Sequence, residues 1–220
     1  MEDIVKRLLR LDCCAVSDAM DKLGLRNQVA TGLEQRSTSQ RIAGRVVTYR
    51  LAPASEAPPS DGPLRHLGTA AIEAAQAGEV IVVEQRTGIE AGSWGGILTL
   101  GAKMKGVAGV VADGPVRDID EARAYGFPIY CRSLKPRTAR DRVAEVECNG
   151  PVNVGGVEVL PGDYVIADGS GVVFVPTYEA SRVLDAAESI AGREAAMAKA
   201  LLAGKPITEV MGADYEHMLR

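Results

Sequence analysis

A chain of 220 residues, 46% of them apolar and 25% charged, is long enough to bury a hydrophobic core without disulfides or metals to hold it together. Its 25 Lys and Arg against 29 Asp and Glu give a net charge of −4, which argues against nucleic-acid and anionic-membrane partners, because both need a basic patch. The high apolar fraction and the low net charge also exclude intrinsic disorder.

The predicted elements begin with two short helices within residues 1–25, the second capped by Ser17 and closing at Gly24. Residues Arg45–Leu51 have the composition of a strand, and Pro53–Pro63 is rich in Pro, Ala and Ser, as in an exposed loop.

From Leu64 onward, strands and helices alternate. The predicted order is helix Leu64–Ala77, strand Val80–Glu84, glycine-rich turn Gly88–Gly96, a helix ending near Lys105, strand Gly109–Ala112, turn Asp113–Pro115, helix Ile119–Tyr125 and strand Ile129–Arg132. Because these strands are almost entirely apolar, they predict a parallel sheet with right-handed crossovers.

After Pro136, short strands separated by Gly-Gly and Pro-Gly-Asp turns predict hairpins. These strands are Val143–Cys148, Val152–Val154, Val157–Val159, Tyr164–Ala167 and Val172–Val175. A long helix at about 178–202 then closes at Gly204. We therefore expect residues 1–220 to form one α/β domain in which a mixed sheet joins a β-rich second layer.

Targeting signals and metal-binding motifs are missing from the sequence. No apolar stretch approaches the roughly 20 residues that span a bilayer, and the acidic start at residues 1–4 is unlike a secretion signal, so we expect a cytoplasmic protein without a membrane partner. The cysteines lack CxxC spacing, which favours reduced, buried thiols over disulfides or zinc. They are Cys13, Cys14, Cys131 and Cys148, and the only histidines are His66 and His217.

A glycine-rich loop precedes the helix that ends near Lys105, so free backbone amides at the start of that helix are suited to bind an anion. The amides in question belong to Gly95, Gly96, Ile97 and Leu98. The loop is not a nucleotide-binding P-loop, because Ala102 replaces the glycine before Lys103 and no Ser or Thr follows the lysine.

A second polar group, Arg117-Asp118 with Glu121, lies just beyond the carboxyl end of a predicted buried strand. Open α/β sheets bind ligands at that edge, and positions three apart share one helix face, so the carboxylates of Asp118 and Glu121 would converge. The same acids are equally suited to complement the dipole of the helix. Both interpretations stay open on local grounds.

Twenty residues separate Gly96 from Arg117-Asp118, and two more separate Asp118 from Glu121. This spacing resembles the G-x20-R-D-x2-E/D pattern of the class II pyruvate aldolases related to 4-hydroxy-4-methyl-2-oxoglutarate/4-carboxy-4-hydroxy-2-oxoadipate aldolase. Non-enzymatic relatives of these aldolases are the regulators of ribonuclease E activity A. The resemblance extends from about residue 17 to residue 176. Its other motifs include Trp94-Gly95, Asp113-Gly114, Gly126-Phe127-Pro128, Pro161-Gly162-Asp163 and Gly171-Val172-Val173.

This resemblance implies an RraA-like α/β sandwich of swivelling β/β/α type, assembled as a homotrimer or hexamer with the active site at a subunit interface. Some members carry an acid at the position of Gly96 and none at that of Glu121, whereas this chain has the other arrangement. The regulators tend to lack the acid after the arginine. Asp118 is present here and favours an enzyme.

The resulting hypothesis is a lyase that uses Mg²⁺ or Mn²⁺ to cleave a 4-hydroxy-2-oxo diacid to pyruvate, and that decarboxylates oxaloacetate through the same pyruvate enolate. Asp118 would ligate the metal directly or through water, and Glu121 would orient a water ligand. Arg117 would bridge the carbonyl and carboxylate oxygens of the 2-oxo acid, while the amides of residues 95–98 hold the carboxylate.

Three other functions compete with this hypothesis. A Schiff base on Lys103 or Lys105 is disfavoured, since nothing in the sequence indicates a depressed pKa for either lysine. A methyltransferase lacks the glycine-rich cofactor loop. A non-catalytic regulator of ribonuclease activity, acting by protein binding, is the main alternative.

Overall fold

The computed structural model describes residues 3–57 and 66–212. Its helices are α1 (Ile4–Leu8), α2 (Cys13–Lys22), α3 (Thr69–Ala74), α4 (Gly96–Met104), α5 (Ile119–Ala124), α6 (Ala180–Leu202) and α7 (Ile207–Val210). Its strands are β1 (Val29–Ala30), β2 (Glu34–Gln35), β3 (Ile42–Pro53), β4 (Val80–Glu84), β5 (Gly109–Val116), β6 (Ile129–Leu134), β7 (Val143–Cys148), β8 (Val152–Val154), β9 (Val157–Val159), β10 (Tyr164–Asp168) and β11 (Gly171–Val175).

Within the described residues, the strands form one large mixed sheet and a small hairpin. The order in the large sheet is β1-β11-β10-β3-β4-β5-β6-β2, with β7 paired to β3. Strands β3 to β6 are parallel, as the alternation of strands and helices predicts. The hairpins β8–β9 and β10–β11 are also confirmed, whereas β7 pairs antiparallel with β3 instead of forming a hairpin with its neighbour.

Strand β4 shows why the sequence predicts the central strands of the sheet correctly. Its side chains alternate between two hydrophobic layers, with Ile81 and Val83 facing α3, α4 and α5, and Val80 and Val82 facing the β8–β9 hairpin. All four are fully buried. A strand covered on both faces must be apolar at each buried position, and residues Val80–Val83 have that pattern.

Several predicted bounds differ from the structure by a few residues, as for strand Arg45–Leu51, which is β3 (Ile42–Pro53), and three are wrong for reasons that local contacts and backbone angles show. The cap of α2 is Asp12, whose carboxylate accepts a hydrogen bond from the Ala15 amide at 2.8 Å, while Ser17 lies inside the helix. Helix α3 begins after Gly68, whose φ of 76° takes the backbone out of the helical path; residues 64–65 of the predicted helix lie outside the described part, as do residues 58–63 of the predicted loop. The predicted turn Asp113–Pro115 belongs to β5.

The cysteines follow the expectation only in part. Cys13 and Cys131 are buried, and burial raises the pKa of both thiols, that of Cys131 to about 12, so neither is a reactive thiolate. Cys14, however, is exposed. Of the histidines, His66 is exposed just before α3, and His217 lies outside the described residues. No helix in the described part is long and apolar enough to cross a membrane.

Candidate active site

The site is built on the carboxyl end of β5, which runs four residues further than the sequence indicates. The strand continues because the carboxylate of Asp113, 2% exposed, is satisfied inside the sheet: it accepts hydrogen bonds from Arg132 Nε at 2.5 Å and from the Gly155 amide at 2.8 Å. Pro115 and Val116 then pair with β6 after a shift of register. This extension carries Arg117 beyond the sheet edge.

The loop before α4 is fixed against the end of β5 by buried hydrogen bonds. The amide and hydroxyl of Ser93 both donate to the Pro115 carbonyl, at 2.7 and 2.8 Å. The Tyr49 hydroxyl donates to the Ser93 carbonyl at 2.7 Å, and the Arg117 amide donates to the Trp94 carbonyl at 3.0 Å. Because the same bonds join the loop to the strand, they also fix the start of α4 relative to Arg117.

Inside the start of α4, a buried indole and hydroxyl hold the backbone turn. The Trp94 indole N–H donates to Thr99 Oγ1 at 2.8 Å, and the Thr99 hydroxyl donates to the Gly95 carbonyl at 3.0 Å. Sequence reasoning missed Thr99 and Tyr49. The only signal was that each brings a hydroxyl into an apolar element, where it needs a partner.

Asp118 lies next to the start of α4 in an unusual backbone conformation. Its φ of 56° and ψ of 38° are left-handed, and it stands just before the first residue of α5. The carboxylate accepts a hydrogen bond from the Gly96 amide at 3.0 Å, and Arg117 Nε lies 3.2 and 3.3 Å from its two oxygens. Asp and Asn adopt this conformation more readily than other non-glycine residues, as Asn27, Asp141 and Asn149 also do in this chain. The helix-face argument is therefore wrong in detail, since Asp118 precedes α5.

The carboxylates of Asp118 and Glu121 rest on two consecutive glycines. A Cβ atom on Gly95 would lie 3.0 Å from Asp118 Oδ2, and one on Gly96 would lie only 1.9 Å from Glu121 Oε2. The Glu121 carboxylate thus fills the space where a side chain at position 96 would begin. This contact gives a steric reason for the absence of an acid at position 96 in this chain.

Arg117 packs its aliphatic part on the glycine-rich loop and leaves its charged end accessible. A Cβ atom on Gly92 would lie 2.9 Å from Arg117 Cγ, so a side chain there would displace Arg117, and one on Gly95 would lie 3.2 Å from the same atom and would crowd it. The side chain is 36% exposed. Its two terminal nitrogens make no hydrogen bond with any described residue, so they can bind a ligand.

The predicted anion-binding amides differ in availability. The Gly96 amide already donates to Asp118. Among the described residues, the amides of Gly95, Ile97 and Leu98 have no acceptor. Ile97 is 83% exposed and Leu98 is buried, so the amide of Ile97 lies at the more open position. A ligand carboxylate at this helix start would find those amides together with Arg117.

Lys103 near the end of α4 and Lys105 just after it make contacts away from the site. Lys103 Nζ donates to the Tyr125 carbonyl, and Lys105 Nζ donates to the Glu73 carbonyl. Both ammonium groups are thus bonded to backbone carbonyls away from the start of α4, where a Schiff-base nucleophile would have to reach the substrate.

The side chains at this site suit a hard, oxygen-preferring divalent cation such as Mg²⁺. The described residues contain no group of three or more His, Cys, Asp or Glu side chains that could hold a metal. The donors at the site are the carboxylates of Asp118 and Glu121, both on exposed residues. Mg²⁺ keeps several of its waters and needs only one or two carboxylates, so this sparse oxygen set suits it and would not suit zinc.

Replacing Gly96 with alanine tests the position of Glu121. Gly96→Ala should move the Glu121 side chain out of the site, because the added Cβ would overlap its carboxylate, while the fold stays intact since that side chain is flexible and exposed. We expect a fall of about tenfold or more in kcat/KM for pyruvate release, at an unchanged Tm. Gly101→Ala is the matched control, because its Cβ would meet only Ile72 Cδ1 at 3.9 Å. Equal activity in both variants would contradict the assigned position.

The fold and the site define a member of a known family. The family model described as "RraA-like: Aldolase/RraA" matches residues 13–174. The chain belongs to this aldolase/RraA family.

Two curated relatives illustrate its range. The chain is 34% identical to a 4-hydroxy-4-methyl-2-oxoglutarate aldolase of Thermus thermophilus over 62% of its own length and 76% of the relative. It is 24% identical to protein DlpA of Legionella pneumophila over 95% of its own length, and it spans only 33% of that longer protein.

Solved structures share the architecture. A protein of Pseudomonas syringae superposes with a TM-score of 0.84 at 26% identity, covering 95% of this chain and 96% of the other. Streptomyces coelicolor RraAS2, described as an unusual member of the RNase ES inhibitor RraA protein family, superposes with a TM-score of 0.74 at 30% identity over 84% and 89% of the two chains. The expected RraA-like α/β fold with a mixed sheet is thus confirmed.

Proposed function

We propose that this chain is a divalent-metal-dependent lyase that cleaves a 4-hydroxy-2-oxo diacid, such as 4-hydroxy-4-methyl-2-oxoglutarate or 4-carboxy-4-hydroxy-2-oxoadipate, to pyruvate. The observation that carries the proposal is the convergence of Arg117, Asp118 and Glu121 on the glycines that begin α4. The similarity to the Thermus aldolase supports it.

Arg117 binds the pyruvyl end of the substrate in this account. Its planar guanidinium has two nitrogens free of described protein partners, and that fork can reach a carboxylate oxygen and the neighbouring 2-oxo oxygen together. The amides of Ile97 and Leu98 would hold the same carboxylate from the start of α4. As the C3–C4 bond breaks, its electron pair moves onto the 2-oxo oxygen, and Arg117 stabilises the charge of the resulting pyruvate enolate.

Asp118 would hold Mg²⁺ or Mn²⁺ directly or through water, and Glu121 would orient a water ligand. A bound divalent cation supplies Lewis-acid stabilisation of the enolate charge. Asp118 is oriented for this role by the Gly96 amide and by Arg117 Nε. The Glu121 carboxylate makes no hydrogen bond with a described residue, so it is available to accept the C4 hydroxyl proton, directly or through water.

The same site would decarboxylate oxaloacetate. Loss of CO₂ from oxaloacetate breaks the bond between C3 and C4 and leaves its electron pair on the same pyruvate enolate, which then takes a proton at C3. No further residue is needed beyond those that stabilise the enolate.

The site is proposed to lie at an interface of a homotrimer or hexamer. Helix α4, which begins at the site, presents Ile97 and Met104 to solvent at 83% and 79% exposure. Apolar side chains exposed together are typical of a surface that another chain covers. The substrate is a small 2-oxo acid, and no nucleic acid or membrane takes part.

A regulator that acts by binding a ribonuclease is the second candidate. The superposition with Streptomyces RraAS2 favours it, because that protein is described as a member of an RNase inhibitor family. The two candidates differ in what they require of Arg117: an enzyme needs its terminal nitrogens, which make no hydrogen bond with a described residue, to bind substrate, whereas a regulator needs no such contact for its function.

Chelation tests the metal requirement. Pyruvate release from 4-hydroxy-4-methyl-2-oxoglutarate, followed with a coupled lactate dehydrogenase assay, should fall more than tenfold in EDTA and return on adding excess Mg²⁺ or Mn²⁺. Pyruvate added directly to the EDTA-containing mixture controls for the coupling enzyme. Undiminished release in EDTA would remove the metal from the account.

A further inference from the structure

The segment 132–142, which follows the buried part of β6, concentrates positive charge in a chain of net charge −4. Its five cationic side chains belong to Arg132, Lys135, Arg137, Arg140 and Arg142. They are separated by other residue types, so no uninterrupted basic run marks the segment in the sequence. The sequence therefore gives no sign of a function for these charges, and a function is inferred from their position in the fold.

Two backbone hydrogen bonds attach this basic segment to the candidate site. The Lys135 amide donates to the Val116 carbonyl at 3.0 Å, immediately before Arg117. The Gly92 amide donates to the Arg137 carbonyl at 2.9 Å, and Gly92 is the glycine on which the Arg117 side chain packs. Residues 135–137 therefore border the site on the side of Arg117.

Most of these cations already have partners. Arg132 pairs with Asp113 at 2.5 Å, Lys135 pairs with Glu90 at 2.6 Å, and Arg142 donates to backbone carbonyls of its own segment. Among the described residues, the guanidinium groups of Arg137 and Arg140 make no hydrogen bond and no ion pair. Of these two, only Arg137 has its backbone bonded to the glycine-rich loop.

Glu90, an acid that feels the charge of Arg137, is paired with a different residue. The hydrogen bond from Lys135 lowers the pKa of Glu90, and the charge of Arg137 adds to this at longer range. Glu90 is thus ionised and paired with Lys135. Arg137 therefore forms no close ion pair with any described residue, at the rim of a site whose proposed substrate is an anion.

We propose that Arg137 binds the distal carboxylate of a dicarboxylic 2-oxo acid whose pyruvyl end is held by Arg117, and so selects diacids over monoacids. This inference rests on the proposed function for the location of the pyruvyl end. A guanidinium binds a carboxylate through two parallel hydrogen bonds. A substrate that carries a methyl group in place of that carboxylate leaves Arg137 unpaired and loses this contribution.

Direct binding tests the proposal with two ligands that differ only at the distal end. Calorimetric titration in Mg²⁺ compares 2-oxoglutarate with 2-oxopentanoate, in which a methyl group replaces the distal carboxylate. The wild-type chain should bind 2-oxoglutarate at least about tenfold more tightly, the value of one charge-assisted hydrogen bond. Arg137→Gln should abolish this preference without weakening 2-oxopentanoate, and Arg137→Lys should retain part of it.

Arg140→Gln is the matched control, because it removes an equally unpaired cation from the same segment without touching the loop at Gly92. It should keep the full preference for 2-oxoglutarate. Equal binding of both ligands by the wild type, a preference that survives in Arg137→Gln, or a preference lost equally in Arg140→Gln would each overturn the proposal. An equal loss would point to general electrostatic attraction by the segment instead.

The titration separates this inference from the proposed function, since it measures binding and not turnover. If the chain prefers 2-oxoglutarate through Arg137 but releases no pyruvate from any 4-hydroxy-2-oxo diacid, the inference about Arg137 stands and the proposed function is wrong. If the chain releases pyruvate but binds the two ligands equally, the proposed function stands and the inference about Arg137 is wrong.

Discussion

Asp118→Ala should abolish pyruvate release while leaving a folded protein. The substitution removes the carboxylate that receives the Gly96 amide and Arg117 Nε, and with it the proposed anchor of the metal. The side chain is 33% exposed, so no buried cavity is created. We expect a loss of at least about 100-fold in kcat/KM, measured in the coupled pyruvate assay, with circular dichroism to verify the fold.

Backbone strain at this position calls for a second variant. Alanine is disfavoured in the left-handed conformation of residue 118, at a cost of about 1–2 kcal/mol, whereas asparagine tolerates it. Asp118→Asn keeps the shape and an acceptor for the Gly96 amide but loses the negative charge, and it should be as inactive as the alanine variant. Asp120→Ala, on the exposed side of α5 where it pairs with Arg123, should retain activity. Normal turnover by folded Asp118→Asn would contradict the assignment.

Arg117→Lys should cost at least about 100-fold in kcat/KM although the positive charge is retained. A lysine ammonium is a single point of charge and cannot span the carboxylate and 2-oxo oxygens together, so the enolate loses one of its stabilising contacts. The loss should appear in kcat as well as in KM, because the contact strengthens as the enolate forms. Steady-state kinetics of pyruvate release with 4-hydroxy-4-methyl-2-oxoglutarate give both parameters.

Arg123→Lys is the control for this substitution. Arg123 lies on α5, pairs with Asp120 and is half exposed, so the same chemical change occurs a short distance away without touching the loop at residues 92–96. Its kinetics should be close to those of the wild type. If Arg117→Lys were equally active, the role of Arg117 in stabilising the enolate would be wrong, whereas a regulator would tolerate both variants.

The sequence predicted the parallel centre of the fold because burial there leaves an unambiguous pattern. Val80–Glu84 is apolar at its four buried positions, and the strand has the predicted bounds. The predicted turn at Asp113–Pro115 was wrong for the opposite reason. Asp, Gly and Pro are typical turn residues, but distant partners, Arg132 and the Gly155 amide, satisfy the Asp113 carboxylate inside the sheet.

In the candidate site, too, the sequence predicted some features and not others. The spacing from Gly96 to Glu121 identified the three charged residues, and the structure brings them together. The spacing did not indicate that the backbone of Asp118 is left-handed or that its carboxylate accepts a hydrogen bond from the Gly96 amide, because both features depend on how α4 and α5 meet. Arg137 was likewise not visible in the pattern, since its proximity to Arg117 arises through Gly92, 45 positions earlier in the chain.

The central claim is tested most directly by measuring pyruvate release. The purified wild-type chain and Asp118→Asn, prepared in parallel, are each assayed in Mg²⁺ with 4-hydroxy-2-oxo diacids and with oxaloacetate. The account predicts steady turnover of a 4-hydroxy-2-oxo diacid by the wild type and at least about a 100-fold lower rate for the variant. Absence of pyruvate from every one of these substrates with the folded wild type, or equal rates for the two proteins, would contradict it.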